Sequence, residues 1–151
     1  GSRVLLSTLD FEKGETLLDV GCGYGTLGLT LAKAQTLKVT LVDINQRALD
    51  LTRKNAAANQ VSAEIFQSNV YENVTGKFQH IISNPPIRAG KKVVHEVISG
   101  SYNHLLDDGD LTIVIQKKQG APSAKAKMEE VFGNCETLKK DKGYYILRSV
   151  K

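Results

Sequence analysis

Asp19-Val20-Gly21-Cys22-Gly23-Tyr24-Gly25 puts three glycines at alternate positions just after an acidic residue. Glycine adopts positive φ readily and lets a ligand approach the main chain with no Cβ in the way. A helix opening behind such a turn offers unpaired N–H groups that suit a carboxylate or a phosphate. The stretch Gly23-x-Gly25-x-x-Gly28 also fits the dinucleotide fingerprint, which alone is a weak signal. Asp19 pulls the other way, because a carboxylate before the turn disfavours a pyrophosphate and suits a cation such as a methionine ammonium. Asp43 follows at a second strand end, where a carboxylate can accept both hydroxyls of a ribose or face the N-terminus of the next helix. Together these residues describe an adenosine site without separating S-adenosylmethionine from a nicotinamide dinucleotide.

Ser83-Asn84-Pro85-Pro86-Ile87 is the second chemical signal. Adjacent prolines fix φ and remove two backbone donors, which leaves carbonyls with no competing N–H beside them. Asn84 adds a side-chain carbonyl, so the segment offers a rigid pair of acceptors. Such a pair fits a planar –NH₂ group whose lone pair is delocalised: two accepted hydrogen bonds fix the nitrogen and turn its lone pair toward an electrophile. Catalysis of that kind rests on positioning and electrostatics and needs no strong base. The plain alternative is a Pro-Pro turn that ends a strand.

These residues need elements to hold them. Short apolar runs predict strands at Thr16–Val20, Lys38–Asp43, Ala63–Gln67, Phe78–Ser83 and Leu111–Ile115. Amphipathic stretches predict helices over Thr26–Ala34, Gln46–Asn59, Val93–Leu106 (closed by an Asp107-Asp108-Gly109 turn) and Ser123–Phe132. The tail, Cys135–Lys139 and Tyr144–Ser149, reads as a hairpin around Asp141-Lys142-Gly143. Alternating strands and helices imply an α/β fold with parallel strands and helices on both faces of the sheet. Such sheets bind ligands at the carboxyl ends of their strands, where both motifs fall.

Composition sets the outer bounds. The 151 residues fit one domain over 1–151, with 41% hydrophobic and 24% charged residues. No apolar run is long enough to span a membrane, and Gly1–Leu6 does not read as a secretory signal, so a cytoplasmic protein is expected. Cys22 and Cys135 form no metal pattern and read as free thiols, and no metal is expected. His80, His95 and His104 have no ligand spacing or nucleophile partner in the sequence and read as surface or packing residues. A net charge of +4 permits a polyanionic partner.

The strand-end Asp-x-Gly-x-Gly-x-Gly, Asp43 and Asn-Pro-Pro-hydrophobe resemble the class I methyltransferases of exocyclic amino groups. Ser83–Lys91 (SNPPIRAGK), with Tyr71-Glu72-Asn73-Val74, Ile115–Gly120 and Val131–Asn134, resembles the small-domain, RsmC-like branch that methylates guanine N2 in ribosomal RNA. The resemblance covers nearly the whole chain. It implies a Rossmann-like, mostly parallel seven-stranded sheet with its last strand antiparallel, and S-adenosylmethionine as cofactor. It also implies ribosomal RNA or the small ribosomal subunit as partner.

Carried over, the resemblance places Asp19, Gly21, Cys22, Gly23 and Gly25 at the methionine end of the cofactor and Asp43 with Ile44 at its ribose. Asn69 and Val70 fall at the adenine, with Asn69 where many relatives have Asp. Asn84 and the Pro85 carbonyl hold the target amine, with Pro86 and Ile87 completing the motif and Asn84 also bordering the cofactor. Ile87 departs from the aromatic residue of DNA and glutamine methyltransferases, which favours the RsmC-like branch. Arg88, Lys91 and Lys117, with Lys92 and Lys118, are candidates for phosphate contacts. Relatives also carry residues ahead of the region aligned with Arg3–Leu6, so the resemblance implies that part of the substrate platform or lid lies outside these residues. Adenine N6, a glutamine side chain, or binding without turnover remain as alternative functions.

Overall fold

The computed structural model describes Leu9 and residues 11–151. The readings made on Gly1–Leu6 fall outside those residues. Among the described residues seven strands are present: β1 (Thr16–Val20), β2 (Lys38–Asp43), β3 (Ala63–Gln67), β4 (Phe78–Ser83), β5 (Leu105–Gln116), β6 (Glu136–Asp141) and β7 (Tyr144–Val150). Four helices separate them: α1 (Thr26–Gln35), α2 (Gln46–Ala58), α3 (Gly90–Ser101) and α4 (Ala121–Phe132). Among these helices none is long and apolar enough to cross a membrane.

The sheet order is β3-β2-β1-β4-β5-β7-β6. β1 to β5 pair in parallel, while β7 runs antiparallel to both β5 and β6. This is the mostly parallel, Rossmann-like seven-stranded sheet with its last strand antiparallel that the resemblance implies. The order reverses between β1 and β4, so the loops that leave these two paired strands run to opposite sides and open a crevice between them.

Alternation along the central strands sends side chains to both faces, and both are covered. Leu17, Leu41, Ile82 and Val114 pack with Leu27, Leu29 and Leu31 of α1 and Ala56 of α2. Leu18, Val42, Ile81 and Ile113 pack with Val94, Val97 and Ile98 of α3 and Ala124 and Met128 of α4. Near-continuous apolar runs in β1, β2 and β5 are the signature of strands buried on both sides.

The sequence reading departs most from the structure around α3, which starts at Gly90 rather than Val93, at the start of β5 and at the start of α4. α3 ends at Ser101, a 3₁₀ turn covers Tyr102–His104, and β5 already starts at Leu105. Asp107-Asp108-Gly109 has the composition of a turn but forms an irregularity inside β5. Asp108 has φ 68°, and the register against β4 shifts between Phe78 and His80. Gly109 is required there, since a Cβ would stand 2.8 Å from the carbonyl oxygens of Gln79 and Leu106. α4 starts two residues early, at Ala121, because Pro122 is tolerated in a first helical turn. The hairpin lies where expected, and Cys22 and Cys135 are free and half-buried.

Candidate active site

The crevice at the β1/β4 switch point opens into a cleft of about 690 Å³. That is within the range of small-molecule and cofactor sites. Its walls come from the loops after β1, β2, β3 and β4, with Val93 and Val97 of α3 closing one side.

The glycine loop is tied down on all sides. Gly21 N and Cys22 N both donate to Val42 O at 2.9 Å, and Gly25 N donates to Cys22 O. From α2, Thr52 Oγ1 donates to Gly23 O at 2.9 Å, and Asn55 Nδ2 donates to Tyr24 O at 3.2 Å. Gly25 caps α1 with φ 78°, and a Cβ there would meet Thr52 Cγ2 at 2.5 Å. Gly28 serves packing: a Cβ would lie 2.4 Å from Leu41 Cδ2 and 2.9 Å from Asp19 Oδ2. The third glycine of the pattern thus lets α1 sit close on the sheet and brings its own N–H to Asp19 Oδ2 at 3.1 Å.

Asp19 lines the cleft yet is only 2% exposed. Burial pushes its pKa up to about 7, helped by the nearby Asp43 charge and opposed by the Gly28 N–H. Among the described residues no cationic side chain is paired with it. Burying a carboxylate without a counter-charge is costly, and its natural complement is a cation in the cleft. Cys22 beside it is held as a neutral thiol, since burial and both carboxylates push its pKa up.

Asp43 uses both carboxylate oxygens on the main chain, Oδ2 accepting from Gly23 N and Oδ1 from Asn45 N, each at 2.8 Å. A carboxylate has about four acceptor sites, so capacity for two hydroxyls remains. Ile44 is 62% exposed at the cleft wall, and its carbonyl is held by Gln67 Nε2 at 2.8 Å. Val70 has φ 57°, an outlier for a β-branched residue. Ser68, buried beneath it, donates to Val70 O at 2.8 Å and accepts from Asn73 N at 3.0 Å, which holds that conformation in place.

Across the cleft, buried Ser83 donates to Val20 O at 2.8 Å and locks the ends of β4 and β1 together. Asn84 leaves β4 exposed, lines the cleft and makes no side-chain hydrogen bond to any described residue. Pro85 is buried in the wall, and its carbonyl accepts from Gln119 Nε2 at 3.1 Å.

The cleft therefore gathers Asp19, Gly21, Cys22, Gly23, Asp43, Ile44, Asn69, Val70, Asn84, Pro85, Pro86 and Arg88. Gly25 lies beneath the loop and Ile87 stands 64% exposed, both outside the lining. Lys91, Lys92, Lys117 and Lys118 are exposed at the same end of the sheet but do not line the cleft. Sequence reading missed the roles of Ser68, Ser83 and Gln119, each of which holds a lining residue by a hydrogen bond: Ser68 through a local turn, Ser83 and Gln119 across distant parts of the chain. It also missed the partners of His80, which packs on Phe11 (3.9 Å between centroids) between Glu15 at 2.8 Å and Asp110 at 2.7 Å. That cluster lies at the opposite end of the strands, away from the cleft.

Residues 1–148 match the methyltransferase small domain family. The chain is 47% identical over 158 residues to the uncharacterized protein YbxB of Bacillus subtilis, covering all of this chain and 78% of that protein. It is 36% identical over 156 residues to ribosomal RNA small subunit methyltransferase C of Erwinia tasmaniensis, covering all of this chain and 45% of that one. It thus spans less than half of that methyltransferase. Among solved structures it resembles the T. thermophilus 16S rRNA N2 G1207 methyltransferase (RsmC), determined with AdoMet and guanosine. That match has a TM-score of 0.84 at 28% identity, over 93% of this chain and 38% of the other.

Proposed function

Since this chain belongs to the methyltransferase small domain family, whose cofactor is S-adenosylmethionine, we propose that it methylates N2 of a guanine in small-subunit ribosomal RNA in the cytoplasm. The observation that carries the reading is the conjunction, in one cleft, of two groups left open to a ligand. One is a buried Asp19 carboxylate with no cationic partner among the described residues. The other is an Asn84 side-chain amide with no partner within the described residues.

The residues fit the cofactor. Asp19 supplies the negative charge that an amino-acid ammonium needs, Gly21 and Gly23 put no Cβ in the ligand's way and Cys22 lines the wall between them, and Gly25 shapes the turn. Asp43 retains acceptor sites for a ribose. Ile44 and Val70 offer apolar contact for a purine, and Asn69 offers an amide oxygen for its amino group. S-adenosylmethionine supplies a methyl group on a sulfonium, which leaves as a neutral thioether.

The chain's own part is to hold the amine. Asn84 Oδ1 and Pro85 O accept its two hydrogens, which fixes the nitrogen and turns its lone pair toward the cofactor side of the cleft. Pro86 keeps the strand end rigid. Neither acceptor needs to take a proton, because the nitrogen becomes acidic only after it is alkylated and then releases its proton to water. Ile87 and Val93, both exposed, give apolar contact to the base rim. Arg88 at the cleft, with Lys91 and Lys117 at the same end of the sheet, contacts phosphates.

Transfer of labelled methyl groups from S-adenosylmethionine to unmodified small subunits tests this. Label in RNA, lost in Asn84→Ala with cofactor affinity within about twofold of wild type, is the expected result. Label in protein, or loss of cofactor binding in the variant, would contradict it.

A further inference from the structure

Gln119 lies outside the cleft lining, on the 3₁₀ turn Lys117–Gln119 that follows β5, yet its side chain reaches a group the proposed chemistry uses. Its Nε2 donates to Pro85 O at 3.1 Å, across 34 residues of chain. Its Oε1 accepts from Gln116 N at 2.9 Å, and the Gln119 backbone N–H donates to the Gln116 side chain, closing a capping box. Gln116 Nε2 in turn donates to Tyr144 OH at 2.7 Å on β7. The Gln119 amide is therefore held at both ends, with its oxygen on its own turn and its nitrogen on the Pro85 carbonyl. Its flip state is fixed, because the reverse orientation would face carbonyl to carbonyl and N–H to N–H.

We infer that Gln119 is a positioning residue for methyl transfer: it occupies one acceptor site of the Pro85 carbonyl and so aims the other at the target amine. The inference rests on the reading that Pro85 O holds that amine. A carbonyl oxygen has two lone pairs. Among the described residues no backbone N–H donates to this oxygen, so the Gln119 amide is what orients it. A donor held in place takes up one lone pair and leaves the second as the available acceptor. It also keeps water from competing for the first. Orientation of this kind matters in a step catalysed by alignment, where small displacements of a holding group cost rate.

Gln119→Glu separates this role from general support of the fold. The substitution preserves shape and the acceptor for Gln116 N, but at neutral and higher pH a carboxylate cannot donate to Pro85 O and repels it. When protonated, the same carboxyl regains a donor. With saturating S-adenosylmethionine and unmodified small subunits, the kcat of Gln119→Glu is expected to fall about tenfold or more near pH 8, the loss of one aligned hydrogen bond. Its ratio to wild-type kcat should climb as pH falls. Cofactor affinity and Tm should stay close to wild type. A ratio that is unchanged from wild type, or depressed equally at every pH, overturns the role of Gln119 while leaving the proposed function standing. Absence of transfer by the wild-type protein overturns both.

Discussion

An ionised Asp19 is what a cationic ligand requires, and its burial works against ionisation. With its pKa near 7, the carboxyl is partly protonated at neutral pH and mostly so below it. Two measurable outcomes follow from that balance. S-adenosylmethionine affinity, followed by calorimetry, should drop about tenfold for each pH unit below the Asp19 pKa, since one proton competes with the ligand. The stability of the ligand-free protein runs the opposite way. A carboxyl whose folded pKa lies above its unfolded one stabilises fully below the unfolded value, and that contribution is lost as pH rises toward and through about 7. Asp19→Asn should therefore raise Tm at pH 8 in the absence of ligand. It should also weaken cofactor binding by about tenfold to a hundredfold, the range for a hydrogen bond to a charged group. A variant that loses stability at pH 8 while binding normally would contradict this account of Asp19.

At the scale of elements, the close seat of α1 on the sheet depends on Gly28. Gly28→Ala pushes a methyl into Leu41 and Asp19, and an overpacked contact of this kind costs about 1–3 kcal/mol. Denaturant unfolding should show that loss together with weaker cofactor binding, because the helix carries the N–H that Asp19 accepts. At the other end of the strands, His80 joins β4 to β5 and to the segment before β1 through Asp110 and Glu15, and Arg148 of β7 adds Nη2 to Asp110 Oδ2 at 2.7 Å. Burial pulls the His80 pKa down, but the two carboxylates prevail and hold it above its usual value. Its raised folded pKa means that the stabilisation is complete at low pH and disappears as pH rises through that value. The stability difference between wild type and His80→Asn should accordingly be larger at pH 6 than at pH 9.

β1 to β4 were legible residue for residue, because each carries a short cluster of apolar and β-branched residues between stretches with helical or turn composition. The start of β5 was not, since Asp107-Asp108-Gly109 satisfies turn chemistry while its backbone pairs within the sheet. The glycine loop and Asn84–Pro86 were legible for the same local reason: their chemistry lies in consecutive residues. Gln119 on Pro85 and Glu15 with Asp110 on His80 join residues 34, 65 and 30 positions apart, and no local pattern announces such pairs.

Across the whole molecule, charge is unevenly placed with respect to the cleft. Arg88, Lys91 and Lys92 lead into or begin α3, and Lys117 and Lys118 precede α4, all at the carboxyl ends of the strands. Lys142 sits on the β6–β7 turn, whose Gly143 O accepts from Lys117 N at 2.9 Å. None of these six has an acidic partner among the described residues, and neither α3 nor α4 has an acidic residue in its first turn. Lysines at helix N-termini oppose the helix dipole, so their placement favours an anionic partner at that end. Replacing Lys91 and Lys117 with Gln should weaken RNA binding and lower the salt dependence of affinity by about one unit of slope for each phosphate no longer neutralised, with cofactor affinity unchanged. An unaltered salt slope would remove these residues from the RNA surface.

The central claim, transfer to a guanine amino group, is most directly tested by the identity of the product nucleoside. Small-subunit RNA lacking the modification should be incubated with the protein and labelled S-adenosylmethionine, digested to nucleosides and resolved against standards. The account predicts label in N2-methylguanosine, and label in N6-methyladenosine or in any ring-methylated base would contradict it.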